Sequence, residues 1–197
     1  MRPPRRPRPA PGELEAARGK VVPDVVADDL RLLVVGINPG LWTAWSGHHF
    51  ARPGNRFWTA LHAAGLTDRV LDPSEERLLL DRGIGITNMV PRTTAAASEL
   101  SPEEIRVGGE RLAALISRHR VRTVAILGMG AYRTAFGRPR ARMGRQDEPL
   151  AGATVWVIPN PSGLQARYGV DEIAGLLREA WATSATPGMD NPPSGPA

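Results

Sequence analysis

Two apolar runs that break into Asn-bearing Pro/Gly turns constrain this 197-residue chain more than any other feature. The first is Leu32-Leu33-Val34-Val35, followed by Gly36-Ile37-Asn38-Pro39-Gly40-Leu41. The second is Val155-Trp156-Val157-Ile158, followed by Asn160-Pro161-Ser162-Gly163-Leu164. Short apolar runs with few charges read as strands covered on both faces. In an open α/β sheet, loops at the carboxyl ends of the strands converge on one crevice, where ligands bind. Two such turns, far apart in sequence, predict the two lips of one site.

The remaining pattern supplies the layers around such a sheet. A helix is expected from about Asn55, with Phe57, Leu61 and Ala64 facing inward and Gly65 as its stop. The Gly36–Gly40 turn leads to it through a loop that reaches Phe50. Ser74 reads as the N-cap of a short helix that ends before Gly83, and 84–90 as a strand. Ser101 with Pro102-Glu103-Glu104 opens a helix to about His119 through an N-cap, a first-turn Pro and a capping-box Glu. Thr123 to Leu127 is a strand leading through Gly128-Met129-Gly130 into a short helix. Arg138 to Gln146 is a basic loop, Thr154 to Ile158 a fourth strand, and Asp171 to Trp181 a closing amphipathic helix. Alternation of this kind predicts an α/β three-layer sandwich, a central, mainly parallel four-stranded sheet flanked by helices.

Composition sets the boundaries. The stretch Arg2 to Pro11 alternates Arg with Pro and has no apolar period to bury, and the end from Thr183 is rich in Pro, Gly and Ser. The expected organisation is a structureless tail over residues 1–25, one domain over 26–182 and a second tail over 183–197. Net charge is +5 with Lys20 as the single lysine, so arginine supplies the cationic surface. That balance suits a polyanionic partner, although four arginines of the first tail carry most of the excess. No cysteine is present, which excludes disulfides, thiolate nucleophiles and cysteine metal sites. The apolar runs are strand-sized and the N-terminus has no apolar signal core, so the expectation is a cytoplasmic protein that does not enter a membrane.

Four constellations carry candidate chemistry. Pro39 biases Asn38 toward extended backbone, and Gly36 and Gly40 let the chain turn tightly, which fixes the amide at the mouth of the crevice or hydrogen-bonds it to its own turn. An amide has no useful pKa. It orients a water through its carbonyl oxygen while its NH2 donates to a substrate. This suits a reaction whose leaving group departs easily, such as hydrolysis of an N-glycosidic bond. In Gly47-His48-His49-Phe50, the Phe could stack on a planar base while nearby N–H groups read its edge. Adjacent histidines diverge and lack a nearby Cys, Asp or Glu, so no metal is expected there. Phe57 and Trp58 read as core. In Asn160 to Leu164, with Arg167 behind it, an exposed Leu on a Gly-supported turn has the form of a wedge for a DNA stack, or of a helix-entry staple. Gly128-Met129-Gly130 lacks the third glycine of a dinucleotide fingerprint and reads as strand-to-helix packing.

Taken in order, these segments resemble the mismatch-specific uracil-DNA glycosylase / thymine-DNA glycosylase family. The matching residues are Gly36-Ile37-Asn38-Pro39-Gly40-Leu41, Gly47-His48-His49-Phe50 and Pro53-Gly54-Asn55-Arg56-Phe57-Trp58. The match continues through Gly83-Ile84-Gly85-Ile86-Thr87-Asn88-Met89-Val90, Arg92-Thr93-Thr94, Gly108-Gly109, Ile126-Leu127-Gly128 and Pro159-Asn160-Pro161-Ser162-Gly163-Leu164. The resemblance implies a uracil-DNA glycosylase fold, no cofactor, a monomer, and double-stranded DNA with G·U or G·T mismatches as partner. It implies Asn38 as the holder of the hydrolytic water and Phe50 as the stacking residue. Backbone N–H groups around Ile37 and Phe50 would read the base edge, with His49, Asn88 and Thr94 lining or supporting the site. The loop Asn160-Pro161-Ser162-Gly163-Leu164, with Arg167, would enter the duplex, and Leu164 would be the wedge. Asn38 stands where more active relatives carry Asp, which implies slow turnover. Thr43 lies at the expected C5 edge of the base, where a branched side chain crowds the thymine methyl and favours uracil.

Three rival readings remain at this level. One is a glycosylase acting mainly on other damaged bases such as ethenocytosine or hypoxanthine. Another is a mismatch-binding protein without catalysis. The third, a small-molecule nucleotide hydrolase or oxidoreductase, is disfavoured by the broken Gly-rich pattern.

Overall fold

The computed structural model describes residues 8–163 and 167–184. Its centre is a sheet of β1 (Leu32–Gly36), β2 (Ile84–Asn88), β3 (Thr123–Leu127), β4 (Gly144–Arg145) and β5 (Thr154–Ile158), in the order β2-β1-β3-β5-β4. The first four strands in that order run parallel, and only β4 pairs antiparallel, with β5. The sheet thus has five strands, one more than expected. The extra strand lies inside the presumed basic loop, because two residues beside arginines leave no periodic signal.

The strands are apolar on both faces because both are covered. Leu32, Val34, Ile84, Ile86, Trp156 and Ile158 pack against α2 (Phe57–Ala63) and α5 (Val170–Thr183) through Phe57, Trp58, Leu61, Ile173 and Leu177. The alternate residues Leu33, Val35, Val124, Ile126, Val155 and Val157 meet α3 (Pro102–Arg118) and α4 (Met129–Phe136). Each fully buried Leu, Ile or Phe here contributes about 1.5–3 kcal/mol of transfer free energy. Ser101 caps α3 as expected, accepting from the Glu104 N–H while the Glu104 carboxylate accepts from the Ser101 N–H.

Four local expectations change. The loop after Gly40 contains a helix, α1 (Leu41–Ser46), too short to show a period in sequence. The segment Pro73–Arg82 is a 3-10 helix capped by Asp72 rather than Ser74, with Glu75 completing the capping box. Residues 8–25 are not a structureless tail. Ala17 and Val22 are buried beside α1, Val25 bridges Ile86, and the Gly19 N–H donates to the Thr93 carbonyl at 3.2 Å. At the other end Thr183 belongs to α5, and its hydroxyl accepts from Trp156 Nε1 at 3.2 Å. Arg/Pro composition hid the N-terminal strap because its anchoring is by backbone contacts and single small side chains. Among the described residues no helix is long and apolar enough to cross a membrane.

Candidate active site

The carboxyl ends of β1, β3 and β5 open into one cleft of about 340 Å³, within the range of small-ligand sites. Ile37, Asn38 and Thr43 form one side with Phe50, Asn160 and Ser162 come from the second lip, and Thr94 to Ser98 close the remaining wall. The two Asn-bearing turns do meet at one site.

Asn38 is fixed from behind. Its Nδ2 donates to Thr94 Oγ1 at 2.7 Å and to the Arg92 carbonyl at 2.9 Å, with a longer contact to the Pro39 carbonyl at 3.3 Å. Carbonyls only accept, so this set assigns the nitrogen end of the amide without ambiguity. Thr94 is 1% exposed, and its own proton goes to the Ala96 carbonyl at 2.8 Å, which leaves a lone pair for Asn38. The NH2 is therefore committed to the protein rather than to a substrate, correcting the sequence expectation. The oxygen Oδ1 is the end presented to the cleft. Arg92 is anchored in turn by a two-point pair with Glu104 at 2.7 and 3.1 Å, and its guanidinium holds the Glu104 carboxyl down to about 2.

Phe50 lines the cleft in a left-handed backbone conformation, φ 55°, with its ring 4.1 Å from the buried Phe57 ring. A non-glycine residue there is strained and must be held by its surroundings. The holder is the buried Glu76 carboxylate, which accepts from the His49 N–H at 2.8 Å and meets His48 Nδ1 at 3.1 Å. The backbone N–H groups of Ile37 and Phe50 meet no acceptor among the described residues, which leaves them for a ligand.

His49 and Asn88 stand behind the cleft wall. His49 is 1% exposed, and its Nε2 must donate to the Pro23 carbonyl at 3.0 Å, which makes Nδ1 the acceptor facing Asn88 Nδ2 at 3.4 Å. Asn88 Oδ1 lies so close to Gly36 that a β-carbon there would sit 2.4 Å from it, so Gly36 is the one residue that fits. Asp24 completes this layer, accepting from Thr87 Oγ1 and Arg111 Nη2 at 2.6 Å each, while Arg111 Nη1 donates to the Asn88 carbonyl at 2.9 Å.

The second lip is an Asx turn, with Asn160 Oδ1 accepting from the Ser162 N–H at 2.9 Å. Pro161 is buried and Gly163 exposed. A β-carbon on Gly163 would meet the Gly54 carbonyl at 2.8 Å, so the two loops touch through glycine. Arg56 clasps the lip, donating to the carbonyls of Ser162 at 2.8 Å, of Tyr168 and, at 3.5 Å, of Pro161. Arg167 is exposed and stands 5.5 Å from the Tyr168 ring centre. The expected wedge, Leu164, lies outside the described residues. The sequence reading gave no role to Arg56, Arg92, Glu76 or Asp24. Only Arg56 and Arg92 had left a trace, in the Gly54-Asn55-Arg56 and Arg92-Thr93-Thr94 runs.

Among the described residues no three metal-ligating side chains gather. What the cleft offers is a partly apolar pocket, neutral but for Arg52, with a fixed carbonyl acceptor, an aromatic face and two N–H donors that meet no acceptor among the described residues.

A solution structure of a candidate uracil DNA glycosylase from Methanosarcina acetivorans is similar to this chain at a TM-score of 0.55 and 21% identity, over 83% of this chain and 98% of that one. At that identity the likeness speaks for the fold. The model of the uracil DNA glycosylase superfamily matches residues 23–183, which takes in both lips, the whole sheet and the last three residues of the N-terminal strap, 23–25. The chain therefore belongs to the uracil DNA glycosylase superfamily, whose members are hydrolytic glycosylases acting on DNA.

Proposed function

We propose that the protein is a monofunctional, monomeric glycosylase that removes uracil mispaired with guanine from double-stranded DNA. The observation that supports this most is the Asn38 amide, whose nitrogen is spent on Arg92 and Thr94 and whose oxygen is left for a water. In this reading the uracil nucleotide leaves the stack, at least cost when it is mismatched, and its ring lies against Phe50. The C1′–N1 bond breaks with its electron pair leaving on the pyrimidine. The Ile37 and Phe50 N–H groups receive that developing charge in a pocket poor in water. The water held by Asn38 Oδ1 then bonds C1′ and loses its proton to solvent, and the base is protonated on release. No strong base is needed because the sugar centre is already cation-like.

The mismatch preference follows from the cost of extrusion and from the lip Asn160 to Leu164 with Arg167, which in this reading enters the duplex and faces the orphaned guanine. Thr43, buried beside the cleft, favours uracil over thymine by crowding a C5 methyl group. Labelled duplexes that differ in a single pair, G·U, A·U, G·T, G·ethenocytosine and G·C, test the proposal after alkaline scission of abasic sites. Strand breaks at G·U above A·U and G·T are expected. Equal cleavage of G·T and G·U would refute the role given to Thr43, and cleavage of G·ethenocytosine alone would move the substrate to another damaged base.

A further inference from the structure

Among the described residues the lining of the cleft is neutral except for one, Arg52. Its backbone is held in a tight turn, since its carbonyl accepts from the Asn55 N–H at 3.0 Å, with Pro53 and the left-handed Gly54 between them. The turn is packed on the second lip through Gly54 and Gly163. The Arg52 side chain is exposed and meets neither a carboxylate nor a carbonyl among the described residues. The other arginines around the site differ. Arg92 and Arg111 are paired with acids, and Arg56 is spent on the carbonyls of the lip. Among the described residues that line the cleft, one uncommitted cation at the rim of an otherwise neutral pocket calls for a ligand with a neutral part inside and a fixed anion outside.

We propose that Arg52 grips a phosphodiester next to the extruded nucleotide. The inference rests on the reading of the cleft as a DNA glycosylase pocket. The base that enters is neutral, while the phosphates on either side of its sugar stay outside and keep their full charge. A guanidinium matches a phosphate in a two-point fork. The competing task, neutralising the departing pyrimidine, is less suited to Arg52. Its group is at the solvated rim, where screening weakens attraction to a transient charge, and the cleft-lining Ile37 and Phe50 have N–H groups with no acceptor among the described residues to take that task. Holding the phosphate at the rim would keep the sugar centred over Asn38 while the base is out.

The test uses G·U duplexes whose uracil carries a 2′-fluoro sugar that resists cleavage, with binding followed by anisotropy over a salt series. Arg52→Gln should weaken binding about tenfold at low salt and reduce the slope of log affinity against log salt by about one, with Arg52→Lys keeping the slope. A set of duplexes with one neutral methylphosphonate at each linkage near the lesion then locates the contact. One position should weaken the wild-type protein several-fold and leave Arg52→Gln unaffected. If every position affects both proteins equally, or if the slope is unchanged, the inference is overturned. Uracil release from an unmodified G·U duplex runs alongside. Release by the wild type without an Arg52-dependent linkage overturns this inference alone. Absence of release overturns the proposed function and leaves Arg52 to be judged by the methylphosphonate pattern.

Discussion

The two lips of the cleft are built from the same kind of turn but held by different means. The Asn38 lip is fixed at its side chain as well as its backbone: Asn38 donates to Thr94 and Arg92 on the neighbouring segment, while the Val90 and Thr94 N–H groups donate to the Ile37 and Pro39 carbonyls. The Asn160 lip is fixed at its backbone, through one guanidinium that reaches the carbonyls of Pro161, Ser162 and Tyr168. The first arrangement sets the position of one oxygen atom. The second sets the path of a chain. That division suits a site where a water must be placed to a fraction of an ångström and a loop must meet a large, variable partner.

Substitutions in the two lips should therefore fail in different ways. Asn38→Ala should lower the excision rate by about 100- to 1000-fold, the usual cost of losing one positioned polar group, with duplex binding retained. Arg56→Ala should cost about 2–3 kcal/mol of stability, read by denaturant unfolding, and weaken duplex binding more than it slows the bound complex. Arg56→Lys should recover little of this, since an ammonium cannot reproduce the fork. An Arg56 variant with normal binding would erase the distinction between the lips. Asp24→Ala removes the carboxylate that Arg111 and Thr87 share and should cost about 1–3 kcal/mol, read by denaturant unfolding.

The smallest effect concerns pH. The Glu104 carboxyl lies near 2 in the folded chain, against an ordinary value of 4.5, chiefly because of the Arg92 guanidinium. Its folded pKa is depressed, so its contribution to stability is present above about pH 4.5 and is lost as pH falls from there toward 2. Glu104→Gln should flatten that acid limb in thermal unfolding while preserving the helix cap, because Gln serves equally at that position. An unchanged acid limb would mean that the Arg92 anchor is replaced by solvent contacts.

The part of this design that sequence reveals is the part governed by repeated burial. β1, β3 and β5 lie within a residue of their expected bounds because apolar side chains on both faces leave no ambiguity in the run. The place of Asn38 at the cleft was legible because a turn at the carboxyl end of a parallel strand opens onto the crevice, whatever the side chain then does. β4 was not, since two residues hydrogen-bonded to an edge carry no period. The Arg56 clasp and the Glu76 support of the His48–Phe50 turn were hidden for another reason. A long charged side chain satisfying distant carbonyls or N–H groups has no signature in its own neighbourhood. The N-terminal strap was misread because composition describes how much a segment buries, not whether a few of its carbonyls are needed elsewhere. The Pro23 carbonyl, which fixes the tautomer of His49, is such a case.

Single-turnover uracil release from a G·U duplex by the wild-type protein and Asn38→Ala, with binding of the same duplex measured in parallel, tests the central claim most directly. Release by the wild type, with a loss of about 100-fold or more in the variant and binding within a few-fold, is the predicted result. Equal release by both proteins would contradict the account, because the water would then be held by some group other than the Asn38 oxygen.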